Sequence, residues 1–143
     1  MGKYDKYFLT ELDLPDSRKK SEAEHPGVYK HAAWLDDKRI KGAFYTECVW
    51  YFKPDVEGVK AHAHDFDEVI AFFGTNQKDL RDLGGEVELY MGGEKHIITK
   101  SCLVFVPKGV EHCPLIFKRV DTPIFHFTVG TGGKYVSSIE STE

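Results

Sequence analysis

The sequence predicts an all-β domain, an antiparallel sandwich or barrel, on three observations. Runs rich in β-branched and aromatic residues recur about every eight to twelve residues, with Gly, Pro, Asn or Asp between them. Aromatic residues make up 13% of the 143 positions, and flat rings pack well on a pleated surface. After residue 40 no stretch carries apolar residues at helical spacing over several turns.

The elements follow in order. Residues 1 to about 24 are polar and charged, with Pro15 and the run Asp16-Ser-Arg-Lys-Lys-Ser-Glu22. They read as an arm or a short helical turn, closed by the loop His25-Pro26-Gly27. Val28 to Trp34 is a candidate strand, and Asp36-Asp37-Lys38 a turn. Ala43 to Phe52 is rich in aromatic and β-branched residues and stops at Lys53-Pro54-Asp55, as a long strand does before a turn. Val59 to His64 and Glu68 to Phe73 come next, the second closed by Gly74. Thr75 to Leu83 is a polar loop. In Glu86 to Met91, Val87, Leu89 and Met91 alternate with Glu86, Glu88 and Tyr90, the pattern of a half-buried strand. Gly92-Gly93 then marks a hairpin turn, from which Glu94 to Thr99 pairs back. The apolar run Ser101 to Val106 stops at Pro107, and His112 to Phe117 and Pro123 to Val129 complete the strands.

Composition narrows the function classes. A formal charge of -4 offers no basic field for a phosphate backbone, so no nucleic-acid partner is expected. No apolar run approaches a membrane span, and the N-terminus does not resemble a signal peptide, so no membrane partner is expected. Cys48, Cys102 and Cys113 are odd in number and lack C-x-x-C spacing, which fits reduced thiols in a cytoplasmic protein.

Two short signatures carry the chemistry. His62-Ala-His64 is followed by Glu68, and Pro107-Lys-Gly109-Val-Glu-His112 comes later in the chain. Three imidazoles and one carboxylate suit a divalent transition metal. In a strand, residues two apart project from one face, so His62 and His64 can share a target, and Glu68 has the same parity. His112 must then arrive from another strand folded back beside the first. Neutral imidazoles in so apolar a setting need partners, and a metal is one. Exposed or hydrogen-bonded histidines near strand ends are the plainer reading of the same residues.

These positions resemble the two motifs of the cupin superfamily, RmlC-like jelly rolls whose fold is a double-stranded β-helix. His62, His64 and Glu68 match the first motif, with Gly58 two positions nearer the first His and Gly74 one nearer the Glu than the family pattern. Pro107, Gly109 and His112 match the second, with Ser101 in place of its Gly and Ile116 in place of its Asn. The resemblance implies a cupin jelly-roll barrel over residues 42–136, an N-terminal extension over 1–41 packed on the barrel or on a partner, and a polar tail over 137–143. It implies one divalent metal, held by His62, His64, Glu68 and His112, for which Fe, Mn, Ni, Co and Zn all suit the donors. The ion would carry a charge of about +1 and, if six-coordinate, two open positions. The function implied is a small oxygenase, isomerase or lyase acting on a small polar carboxylate or carbonyl compound. The alternative is a non-catalytic ligand- or metal-binding module, since one fold hosts many activities.

His126 is the candidate general acid or base. If Ile124 and Thr128 face inward, His126 does too; a hydrogen-bonded His on the outer face fits the same alternation. Lys60 shares parity with His62 and is a candidate rim cation, or a solvated lysine. Phe52, Ile70, Phe72, Phe105 and Ile116 are candidate lining residues, and Tyr51 and Tyr90 candidate hydroxyls. Cys113, next to His112, falls on the opposite face by alternation and is excluded as a ligand. An exposed edge strand and the aromatic-rich extension favour pairing with a second copy. Sedimentation at micromolar concentration is expected to give a homodimer mass; a monomer mass contradicts this expectation.

Overall fold

A computed structural model describes residues 2–132. The expected polar tail, and the end of the 42–136 segment, lie outside the described residues. Among the described residues eight strands are present: β1 (Tyr29–Leu35), β2 (Tyr45–Tyr51), β3 (Glu68–Phe73), β4 (Asp82–Met91), β5 (Glu94–Lys100), β6 (Cys102–Val106), β7 (His112–Val120) and β8 (Ile124–Gly130). A single 3-10 turn (Asp5–Tyr7) and an α-helix, α1 (Asp16–Glu24), precede them among the described residues. The strands form an antiparallel sheet of order β1-β2-β8-β3-β6 and a second of order β5-β4-β7. The sheets are not hydrogen-bonded into a closed barrel, which corrects that part of the expectation. The two-sheet jelly roll itself is the predicted fold class.

Local chemistry accounts for the joints. Gly92 and Gly93, at φ 58 and 82, supply the left-handed pair that a tight hairpin between β4 and β5 requires. The core between the sheets contains Ile70 and Phe72 from β3, Val87 and Leu89 from β4, and Phe117 from β7, all at most 4% exposed. Removing such side chains from water supplies the main drive for sheet packing. Glu88 departs from simple alternation: it is buried and bridged by Lys118 at 3.2 Å and Lys95 at 3.7 Å. The outer face of the large sheet also carries apolar groups, with Leu103 and Phe105 of the edge strand β6 exposed.

Residues 1–41 include structure that belongs to the sandwich. β1 pairs along β2, and a register shift between His31 and Ala33 inserts an extra residue. That bulge turns Tyr29, His31 and Trp34 all inward, where strict alternation would separate His31 from Trp34. Helix α1 then docks through a part-buried polar cluster around the buried His31. Arg18 meets Glu47 at 2.9 Å, and His31 bridges Glu22 at 2.6 Å and Glu47 at 2.5 Å through its two ring nitrogens. Tyr45 donates its hydroxyl hydrogen to Glu47.

Burial alone would raise the Glu47 pKa, but Arg18, His31 and Tyr45 overcome it and hold the group at about 2. For His31 burial works downward, yet Glu47 and Glu22 prevail and the pKa is raised. The linkage signs follow. The Glu47 contribution is complete above the ordinary carboxylate value of 4.5 and is lost as pH falls toward about 2. The His31 contribution is complete below the ordinary 6.5 and is lost as pH rises through its raised value. Glu47→Gln is expected to lower stability by about 3 kcal/mol, the scale of a broken buried pair. In urea titrations the difference from wild type should be largest between pH 4.5 and 6.5. A difference that does not change with pH contradicts the assignment.

Candidate metal centre

The candidate ligands converge at one end of the sandwich. Glu68 is the first residue of β3 and His112 the first of β7. His62 and His64 lie in the loop before β3, and not in the strand that their spacing suggested. The loop is held by backbone pairing. His62 N–H donates to His112 O at 2.9 Å, and His112 N–H returns to His62 O at 2.8 Å, forming an isolated antiparallel bridge. The turn after Pro107 is tied to the same loop, with Gly109 N–H on His64 O at 2.9 Å and Lys108 N–H on Asp67 Oδ1 at 2.9 Å. Gly109, at φ 84, adopts a conformation that costs a side chain roughly 1 kcal/mol or more.

The four side chains are buried, each at most 5% exposed. The imidazole centroids of His62, His64 and His112 lie 4.6–5.1 Å apart. Nδ1 of His62 donates to Lys60 O at 2.7 Å, and Nδ1 of His112 to Val110 O at 3.0 Å, since a carbonyl can only accept. In the neutral rings this leaves Nε2 with its lone pair directed to the site. His64 stacks on Phe66 with centroids 4.7 Å apart. Phe66 in turn packs into space that side chains at Gly130 and Gly132 would fill.

The donors pass a test of fit. His112 Nε2 stands 3.0 Å from Glu68 Oε1, yet that buried oxygen receives no hydrogen bond from the described residues. In the neutral tautomer two acceptors face each other, an arrangement that either a proton on His112 Nε2 or a bound cation relieves. Two donors about 2.1 Å from one ion and at right angles lie about 3.0 Å apart. His64 Nε2 is 3.6 Å from Glu68 Oε2. The ligand atoms of His64, Glu68 and His112 lie within 4.8 Å of one another, and so do those of His62, His112 and Cys113.

Cys113 corrects the sequence expectation. Its φ of 80 and the register shift between Leu89 and Met91 break the alternation of β7, so the thiol faces the cavity and not the opposite side. Burial pushes its pKa up to about 12. Burial lowers the pKa of His62; for His112 burial works the same way, but Glu68 and the Val110 carbonyl raise it.

A cavity of about 300 Å³ runs from these groups across the inner face of the large sheet. His126 lines it, buried, with Nδ1 donating to Ala71 O at 3.1 Å and its ring stacked on Phe72 at 4.9 Å. Burial lowers its pKa, which keeps the imidazole neutral and leaves Nε2 as a proton acceptor. Ile70 and Tyr51 line the cavity as expected. Phe72 lies in the core, while Phe52 and Phe105 are 44% and 59% exposed and Tyr90 and Ile116 are not among the lining residues. Lys60 is exposed and serves the site through its backbone carbonyl. The far wall comprises Arg18 and Ser21 of α1 with His31, Tyr45 and Glu47. Sequence reasoning missed this wall because α1 lacks an apolar stripe and the β1 bulge hides the parity of His31.

No protein-family model matches this sequence, and no curated protein does. Among solved structures, a recombinant oxalate oxidase in complex with glycolate superposes with a TM-score of 0.53 at 13% identity, covering 89% of this chain and 60% of that one. A predicted oxalate decarboxylase from Thermotoga maritima gives a TM-score of 0.50 at 17% identity, covering 71% of this chain and 78% of that one. An RmlC-like cupin from Shewanella frigidimarina gives 0.42 at 18% identity, covering 75% and 79%. The chain has the cupin fold. Identities this low extend the likeness to the fold and no further.

In this cupin fold Gly58 sets the entry to the ligand loop. It stands at φ 66, and a Cβ there would meet Leu115 O at 2.7 Å. Gly58→Ala is expected to destabilise the protein by about 1–3 kcal/mol. Chemical denaturation checks this, and an unchanged midpoint contradicts it.

Proposed function

We propose that this protein binds one divalent transition metal through His62, His64, Glu68 and His112 and acts on a small polar carboxylate or carbonyl compound. The observation that carries the reading is the buried approach of His112 Nε2 to Glu68 Oε1, where neither atom supplies a hydrogen bond to the other in the neutral tautomer. The glycolate in the oxalate oxidase structure supports the substrate class, because glycolate is a compact hydroxycarboxylate and the cavity here is of a size to suit such molecules.

A bound divalent ion supplies a Lewis acid that polarises an oxygen of the compound, with the reaction falling among oxygenations, isomerisations and lyase eliminations. The chain supplies the rest. Lys60 O and Val110 O fix the tautomers of His62 and His112. Phe66 fixes the plane of His64. Ala71 O holds His126 with Nε2 available, so this nitrogen takes a proton from the compound and returns it in a later step. Tyr51 and Ile70 line the cavity with it, and the Tyr51 ring meets the His126 ring edge-on.

Metal analysis of protein purified without a histidine tag is expected to give one transition-metal ion per chain, lost in His112→Ala and Glu68→Ala. Failure to bind any divalent metal on reconstitution overturns the proposal. In a turnover screen of small carboxylates and carbonyls, His126→Gln is expected to keep its metal and lose about 10²–10⁴-fold in rate. Unchanged turnover removes His126 from the chemistry.

A further inference from the structure

The cavity contains one soft donor that the four-residue set leaves out. Cys113 is buried, and its sulfur shares a 4.8 Å cluster with ligand atoms of His62 and His112. Two donors bound to one ion at about 2.1 and 2.3 Å, at angles of about 90–110°, lie roughly 3.1–3.6 Å apart. Small side-chain rotations therefore close the cluster on an ion. His112 belongs both to this cluster and to the one with His64 and Glu68, so the two triads share a vertex.

The plain alternative is that Cys113 fills space in the core, where it also touches buried apolar residues. A space-filling role does not require its sulfur to stand beside two imidazoles. Residue 113 is the single non-glycine residue at positive φ among the described residues, and that conformation aims the side chain beside His112 into the cavity. An ordinary extended residue would send it outward, as strand alternation requires.

We propose that the Cys113 thiolate is a further ligand of the metal centre, giving the site a thiolate–imidazole face (His62, Cys113, His112) beside a carboxylate–imidazole face (His64, Glu68, His112). This rests on the metal-binding reading above. On binding, the sulfur–metal bond forms as the thiol proton leaves to solvent, with no change of oxidation state. One carboxylate and one thiolate bring the charge of a divalent ion to about zero, and sulfur favours zinc and cobalt over manganese.

Titration of metal-free, untagged protein with Co²⁺ separates the two readings. The wild type is expected to take up one equivalent and to show, besides visible ligand-field bands, a near-ultraviolet sulfur-to-cobalt charge-transfer band. The band should persist in Cys48→Ser and Cys102→Ser and vanish in Cys113→Ser. Zinc affinity should fall at least about tenfold in Cys113→Ser, with manganese affinity little changed. If Cys113→Ser does not fold, the wild-type band and the two control variants still decide. Stoichiometric cobalt without the charge-transfer band overturns the Cys113 assignment and leaves the four-ligand reading standing. No cobalt uptake at all overturns both.

Discussion

The reciprocal backbone bridge between His62 and His112 is the constraint on which the site depends. These two hydrogen bonds join a loop without regular structure to the first residue of β7. They set two imidazoles side by side before any ligand contributes. Gly109 and Lys108 add two further bonds between the same segments, so the Pro107 turn and the ligand loop form one unit. Glu68 enters from β3, whose pairing with β6 and β8 on both edges fixes its position. A site assembled this way is organised by main-chain hydrogen bonds, and its side chains pay little rotamer entropy when they close on an ion.

The opposite wall obeys a different logic. α1 has almost no apolar face, and none of its residues is buried in the sense that a core helix is. It is held by charge, through Arg18 and Glu22 against Glu47 and His31. His25, just after the helix, reaches Glu57 at 3.1 Å and so links the helix to the approach of the ligand loop.

Much of this was legible in the sequence, and the exceptions share a cause. The strands from Ala43 onward showed themselves through alternation and glycine turns, and the spacing of His62, His64, Glu68 and His112 marked the residues that converge. Alternation failed at two bulges. At His31 the extra residue in β1 keeps both His31 and Trp34 inward. At Cys113 a positive φ reverses the face of the side chain. Neither departure has a letter in the sequence, since both non-glycine residues owe their geometry to pairing with neighbouring strands. The short helical turn expected around Asp16–Glu22 is α1, but its docking is not legible in periodicity, because its partners are charged groups from β1 and β2, distant in the chain. The closed barrel was an overreach: the motifs specify where the ligands meet, not how the sheet edges join.

Anomalous diffraction from crystals of protein loaded with a single transition metal reports directly on whether these four residues hold an ion. One strong peak is expected within about 2.0–2.3 Å of Glu68 and of the imidazoles of His62, His64 and His112. A protein with no peak there, whose Glu68 and His112 instead hydrogen-bond to water, would contradict it.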